Sequence, residues 1–236
     1  MSDPLKPADH LAKQRTPRFA GESAAYAKAR QNLIAAEIEA RRTLGKLARQ
    51  IRDLPAGPAI AGDYVFHDAN GGAVKLADLF GDQQTLVLYH WMYGPERERP
   101  CPMCTNLLGP LAANAADIRQ RTALAVVSRS SVERQKAFAR ERGWSDAMPL
   151  YQTQGDAFSL AIGGLDPDSG WEMPVLMVLK RAGDAVHLHW MGEMTKDMAD
   201  PGEDPRGAVD LSPLWNVLDL TPEGRAADWY PKLAYN

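Results

Sequence analysis

The stretch Thr85–Cys104, TLVLYHWMYGPERERPCPMC, decides how this chain is read. Its first eight residues, Thr85–Met92, form a continuous run of apolar, β-branched and aromatic side chains, the pattern of a central strand covered on both faces. Gly94–Pro100 then reads as a charged loop, and from Cys104 to about Arg119 the spacing predicts a helix. Cys101-Pro-Met-Cys104 therefore stands at a strand-to-helix junction. There the unpaired amides and the macrodipole of the helix N-terminus stabilise a thiolate. The thiolate is the nucleophile towards a disulfide, and a second thiol one helical turn on can resolve the resulting mixed disulfide. Pro102 suits the first helical turn because it lacks an N–H that would have no partner there.

Outward from this stretch, strands alternate with helices. Tyr64–Phe66 is a short strand, Asn70–Gly72 a turn, and Leu76–Phe80 a helical turn. Ala123–Ser128 (ALAVVS) reads as a second buried strand, and Ser131 caps a helix running to about Arg142. Met148–Tyr151 is a further short strand. Val175–Leu179 and Ala185–Trp190, joined by Arg181-Ala-Gly-Asp184, read as a hairpin, and a helix is expected around Leu211–Leu218. Upstream, Ser23 to about Asp53 carries apolar residues at helical spacing, with Ser23 as N-cap and Pro55-Ala-Gly-Pro58 as the stop. The expected organisation is an N-terminal helical arm, 1–54, and an α/β domain, 55–236.

Composition narrows the function classes. The chain has 236 residues, 45% hydrophobic and 24% charged, near globular averages. No run approaches the roughly 18 apolar residues that span a bilayer, and the polar start carries no apolar signal segment, so a cytoplasmic protein without membrane contact is expected. The net charge of −3 gives no reason to expect nucleic-acid binding. The arm carries a net +5 and the remainder a net −8, which invites packing of one on the other within the chain or across a homodimer formed through the N-terminal helix. No Gly-rich nucleotide loop, HExxH or GxSxG is present, so no cofactor is expected.

The order strand, CxxC helix, strand, helix, Met173-Pro174, hairpin, helix is that of a thioredoxin fold. Within residues 63–104, Tyr64-Val-Phe66, Leu76-Ala-Asp-Leu-Phe80, Tyr89-His90, Gly94-Pro95 and Cys101-Pro-Met-Cys104 resemble a bacterial thioredoxin-like family known as domain of unknown function 899. Val127-Ser-Arg129, Leu220–Arg225 and Asp228–Pro231 extend the resemblance over most of the chain. It implies a thioredoxin-like fold with a long leading helix and thiol redox chemistry on a protein or small-molecule thiol or disulfide, reset by an external reductant. It also implies a cis-proline at Pro174, beside the cysteines. Met173 would then offer its backbone to an extended substrate.

Candidate site residues follow. Cys101 is the attacking thiolate and Cys104 the resolving thiol. Met173 and Pro174 line the groove, with Trp91 and Tyr93 as aromatic walls. His90, Arg97 and Arg99 could tune Cys101, while Glu96 and Glu98 oppose them, so a self-paired loop is the alternative. A peroxiredoxin needs Thr three residues before its reactive cysteine, where Glu98 stands here. Two other readings stay open: Cu(I) or Zn(II) held by Cys101, Cys104 and His90, and a binding module on the same fold without turnover. His187 and His189 share a strand face, Met191, Met194 and Met198 recur at helical spacing, and Asp197, Asp200, Glu203 and Asp204 form an acidic loop; each is more simply structural or solvated than metal-binding.

Overall fold

A computed structural model describes residues 5–17, 19–61, 63–183, 185–193, 198, 213–222 and 229–235. The chain divides into two compact units, Met1–Pro55 and Ala56–Asn236.

In the first unit a short helix, α1 (Ala8–Ala12), precedes the long helix α2 (Ala24–Arg52). The Ser23 hydroxyl accepts from the Tyr26 amide and supplies the expected N-cap. No residue of α2 is fully buried, and Tyr26, Leu33 and Leu44 stay exposed. Arg15 pairs with Glu22, and the Arg42 guanidinium donates to the Lys6 carbonyl, so polar contacts tie the segment before α2 to it, beside the buried Ala8 and Ala12.

The second unit is built on one eight-stranded mixed sheet. In chain order its strands are β1 (Ala59–Ile60), β2 (Val65–His67), β3 (Ala73–Lys75), β4 (Thr85–His90), β5 (Ala123–Ser128), β6 (Leu150–Thr153), β7 (Val175–Ala182) and β8 (Ala185–Met191). In space the order is β1-β8-β7-β4-β5-β6-β2-β3. β4, β5 and β6 run parallel, whereas β7 is antiparallel to β4, with His90 opposite Val175. The helices are α3 (Pro102–Ile118), α4 (Val132–Glu141), α5 (Ala157–Ala161) and α6 (Pro213–Leu218). This is the thioredoxin arrangement, an α/β fold in which the β4–α3 junction carries the cysteines. Among the described residues no helix is long and apolar enough to cross a membrane.

Alternation along the two central strands sorts the core into two faces, because successive side chains point to opposite sides of a sheet. Leu86 and Leu88 of β4 join Ala125 and Val127 of β5 against Phe66, Phe158 and Ile162. Tyr89 and Trp91 join Leu124 and Val126 on the other face, with Cys104, Leu108, Ala112 and Ala115 of α3 and Phe138 of α4. Every residue of β5 is buried, Ser128 included, as the apolar run Ala123–Val127 predicts.

The strand leading to the cysteines ends at His90, two residues earlier than its apolar run suggests. Trp91 still bonds through its amide to the Val127 carbonyl, and the chain then turns away into the loop. The segments β1, β3, α1 and α5, two to five residues each, are too short to leave a legible pattern. Met191 belongs to strand β8 and not to a helix; Met194 lies outside the described residues, as do Asp197, Asp200, Glu203 and Asp204. His187 and His189 sit on an inner strand, because β1 covers β8. Pairing passes from Val178 opposite Trp190 to Leu179 opposite Leu188, which leaves His189 as the extra residue, and His187 is taken by the Gly57 carbonyl at 3.1 Å.

Candidate active site

Cys101 is the N-cap residue of α3 and Pro102 its first residue, so the helix begins between the two sulfurs. The Cys101 amide donates to the Met92 carbonyl at 3.1 Å, and its own carbonyl accepts from the amide and the hydroxyl of Thr105. Those three bonds fix the backbone on both sides of the thiol. Cys101 is half-buried, whereas Cys104, one turn on, is sealed beneath it; both are free thiols.

The two sulfurs therefore differ in electrostatics. The Cys104 thiol donates to the Cys101 sulfur and, with the amides of Cys104 and Met103 and the charge of Arg97, overcomes the cost of burial and lowers the Cys101 pKa to about 6. No N-cap bond from the Cys101 side chain forms. The same sulfur–sulfur contact, together with burial, pushes the Cys104 thiol up. A dithiol with one ionised, reachable sulfur and one protonated, buried sulfur results.

Tyr89, a residue absent from the sequence-based candidates, lies on the same sheet face as Cys104. Its hydroxyl interacts with the Cys104 sulfur and favours the thiolate there, while burial holds the phenol itself well above its ordinary range. The signal is present in the alternation of β4: Tyr89 and His90, as neighbours, must face opposite ways.

His90 faces away from the cysteines. On the α5 side of the sheet its Nδ1–H donates to the Met173 carbonyl at 3.1 Å, and Nε2 accepts from the Ser159 hydroxyl at 2.9 Å. Burial lowers its pKa, so the neutral ring with a proton on Nδ1 satisfies both bonds. Gly164 packs flat on this ring, where a side chain would meet Nδ1 at 2.8 Å. His90 thus braces the Met173-Pro174 segment; neither of its ring nitrogens is available to tune Cys101 or to complete a metal site with the cysteine pair. Among the described residues no three Cys, His, Asp or Glu side chains form a metal-binding group.

The aromatic walls are also reassigned. Trp91 and Tyr93 are buried in a cluster with Phe138 and Trp144, their own rings 5.0 Å apart, and Trp91 Nε1 has no hydrogen-bond partner among the described residues. They support the site from below. The exposed apolar surface comes instead from Trp171, Met173 and Met103, at 60%, 46% and 37% exposure.

Met173-Pro174 does immediately precede β7, as expected, but no cis peptide bond occurs among the described residues. The Met173 N–H is spent on the Gly164 carbonyl at 3.0 Å, so it is closed to a substrate strand. What this segment exposes is side chain rather than backbone.

The charged loop is cross-braced, not self-paired. Arg99 makes a two-pronged pair with Glu141 of α4 and stacks over Phe138, which takes it away from Cys101. Arg134, also of α4, spans the loop as well, reaching the Arg97 carbonyl and the Ser130 hydroxyl. Arg97 turns towards the Met173 segment, where Nε donates to Glu172 Oε2 at 2.9 Å. The same Glu172 oxygen accepts from the Gly94 amide at 3.0 Å, and Arg129 Nη1 lies 3.5 Å from the other oxygen. Glu172 is buried, and it clamps the loop before the cysteines to the segment before β7. Nothing in its local sequence, Trp171-Glu-Met-Pro174, announces that role.

Sheet order, strand directions and the cysteine pair at the β4–α3 junction define a thioredoxin-like protein. The sequence profile of a family described as "bacterial protein of unknown function (DUF899)" matches residues 15–235, and the chain belongs to that family. No curated protein matches it. Among solved structures, it is similar to the peroxidoxin BcpB of Mycobacterium tuberculosis, with 23% identity, 54% of this chain and 79% of that chain covered, and a TM-score of 0.40. It is also similar to a cysteine-to-serine mutant of PrxQ from Xylella fastidiosa, with 16% identity, 57% and 86% coverage, and a TM-score of 0.42. A putative electron transfer protein from Aquifex aeolicus matches at 18% identity, 56% and 85% coverage, and a TM-score of 0.40.

Proposed function

We propose that the protein is a thiol–disulfide oxidoreductase. The observation that carries this reading is the asymmetry of the pair: Cys101 is reachable with a pKa of about 6, and Cys104 is protonated and buried one helical turn behind it.

The Cys101 thiolate attacks one sulfur of a substrate disulfide. A Cys101–substrate S–S bond forms, the substrate S–S bond breaks, and the first substrate thiolate departs. Cys104 then attacks the Cys101 sulfur. The Cys101–Cys104 disulfide forms, the second substrate thiolate leaves, and it takes up the proton that Cys104 loses. Two electrons have passed from the dithiol to the substrate, and an external dithiol reductant returns them. Depressing the first pKa raises the thiolate fraction at neutral pH, while Tyr89 favours the thiolate of Cys104 at the moment it forms.

The test is disulfide reduction with single-cysteine variants. Cys101→Ser should abolish turnover, and Cys104→Ser should stall as a mixed disulfide that mass spectrometry detects at Cys101. An unchanged rate in Cys101→Ser would overturn the reading.

A further inference from the structure

Arg97 is the cation of the loop whose charge acts on Cys101 and which still has donors to spare. Its Nε serves Glu172, but neither Nη makes a hydrogen bond among the described residues. Its guanidinium lies over the exposed Trp171 ring, 5.6 Å from the centroid, and the side chain keeps 28% of its surface open. Its neighbours are committed elsewhere: Arg99 to Glu141, Arg129 to Asp156 at 2.7 Å, and Arg134 to loop carbonyls. Glu172 neutralises part of the charge, but it is shared with Arg129. Glu172 and Trp171 together hold the fork in place, so little side-chain entropy remains to be lost when an anion binds. The two Nη groups form a planar pair of donors, four residues along the chain from the nucleophile, beside the apolar surface of Trp171.

We propose that Arg97 is a substrate-recognition residue, and that the disulfide opened by Cys101 carries a carboxylate close to its sulfur, received by the Nη groups of Arg97. This rests on the oxidoreductase reading and narrows its substrate class. The chemistry is that described above: Cys101 bonds to the substrate sulfur, the substrate S–S bond breaks, and the carboxylate contributes binding without taking part in electron transfer. The carboxylate could belong to a small aryl or alkyl disulfide or to an acidic residue flanking a disulfide in a peptide.

Two small disulfides make the test. Dithiobis(nitrobenzoate) carries a carboxylate on each ring, whereas dithiodipyridine is uncharged at neutral pH. The ratio of their reaction rates with the reduced protein cancels any change in Cys101 ionisation, which affects both equally. A hydrogen bond to a charged group at a partly exposed site supports a loss of about tenfold in this ratio for Arg97→Met. Arg97→Lys, which keeps the charge but not the fork, should lose less, and it carries the test if Arg97→Met fails to fold. Arg99→Met should leave the ratio unchanged. A pair of disulfide-linked peptides with Asp or Asn beside the cystine separates the two sources. Arg97-dependent preference confined to the aryl disulfide assigns a small molecule, and preference for the Asp peptide as well assigns an acidic segment. An unchanged ratio in Arg97→Met, or an equal loss in Arg99→Met, overturns the inference. If neither reagent modifies Cys101 in the unaltered protein, it is the oxidoreductase reading itself that fails.

Discussion

The carboxylate of Glu172 occupies the space that a side chain on Gly94 would need: a methyl group there would stand 2.8 Å from Cδ of Glu172 and 3.1 Å from Nη1 of Arg129. The loop before the cysteines and the segment before β7 are thus joined by a buried contact that only glycine permits. Gly94→Ala should force Glu172 aside and break its bond to the Gly94 amide. The expected cost is about 1–3 kcal/mol of stability, read by denaturant unfolding, with a simultaneous loss of selectivity for carboxylate-bearing disulfides. A variant as stable as the parent would show that the contact is slack.

The thiolate of Cys101 predicts a pH profile. Alkylation of the reduced protein by iodoacetamide should rise with pH and reach half its plateau near pH 6. The largest stabilising contribution is the hydrogen bond from Cys104, so Cys104→Ala should move that midpoint upward. Linkage gives the sign for stability. An unfolded thiol titrates at about 8.5, so ionisation of Cys101 favours the folded state above that pH, and the gain is lost as pH falls through about 6. The difference in melting temperature between the reduced parent and Cys101→Ser should therefore widen between those two values.

Tyr89→Phe removes the hydroxyl that favours a thiolate on Cys104. The first step, attack by Cys101, should be little changed, while resolution slows by about tenfold, the value of one hydrogen bond to a charged group. Quenched-flow trapping of the Cys101 mixed disulfide measures the two steps separately; equal rates of resolution in both proteins would remove Tyr89 from the mechanism.

His90→Leu separates structure from chemistry. The substitution leaves the Ser159 hydroxyl and the Met173 carbonyl without their partner in a buried site, at a cost of about 1–3 kcal/mol each. Unfolding should register the loss, whereas the alkylation midpoint of Cys101 should stay where it is, because His90 lies on the other face of the sheet.

Much of this architecture is legible in the chain. The buried run Ala123–Ser128, the Ser131 and Ser23 caps and the Cys-Pro-Met-Cys junction are local features, written in side-chain type and spacing. Alternation on β4 even separates Tyr89 from His90, but which face receives α3 depends on how the chain returns; proximity in sequence favours His90 as the neighbour of the cysteines, and the fold puts Tyr89 there. Trp91 and Tyr93 read as open walls because aromatic residues near a reactive thiol suit either burial or binding; Phe138 and Trp144, more than forty residues away, decide for burial. Glu172 is invisible for the same reason. Its partners Gly94 and Arg97 lie across the fold, and a lone Glu before Met-Pro carries no mark of them.

The burial of Cys104 beneath Cys101 also fixes the valence that the pair presents to solvent. A dithiol in composition, it meets every external reagent as a monothiol, so one equivalent of a bulky thiol probe should saturate the native protein and a second should enter only on unfolding. On the proposed oxidoreductase reading, a partner would be captured through a single sulfur and released only from within, which makes the order of the two bond-forming steps a property of the fold rather than of the partner.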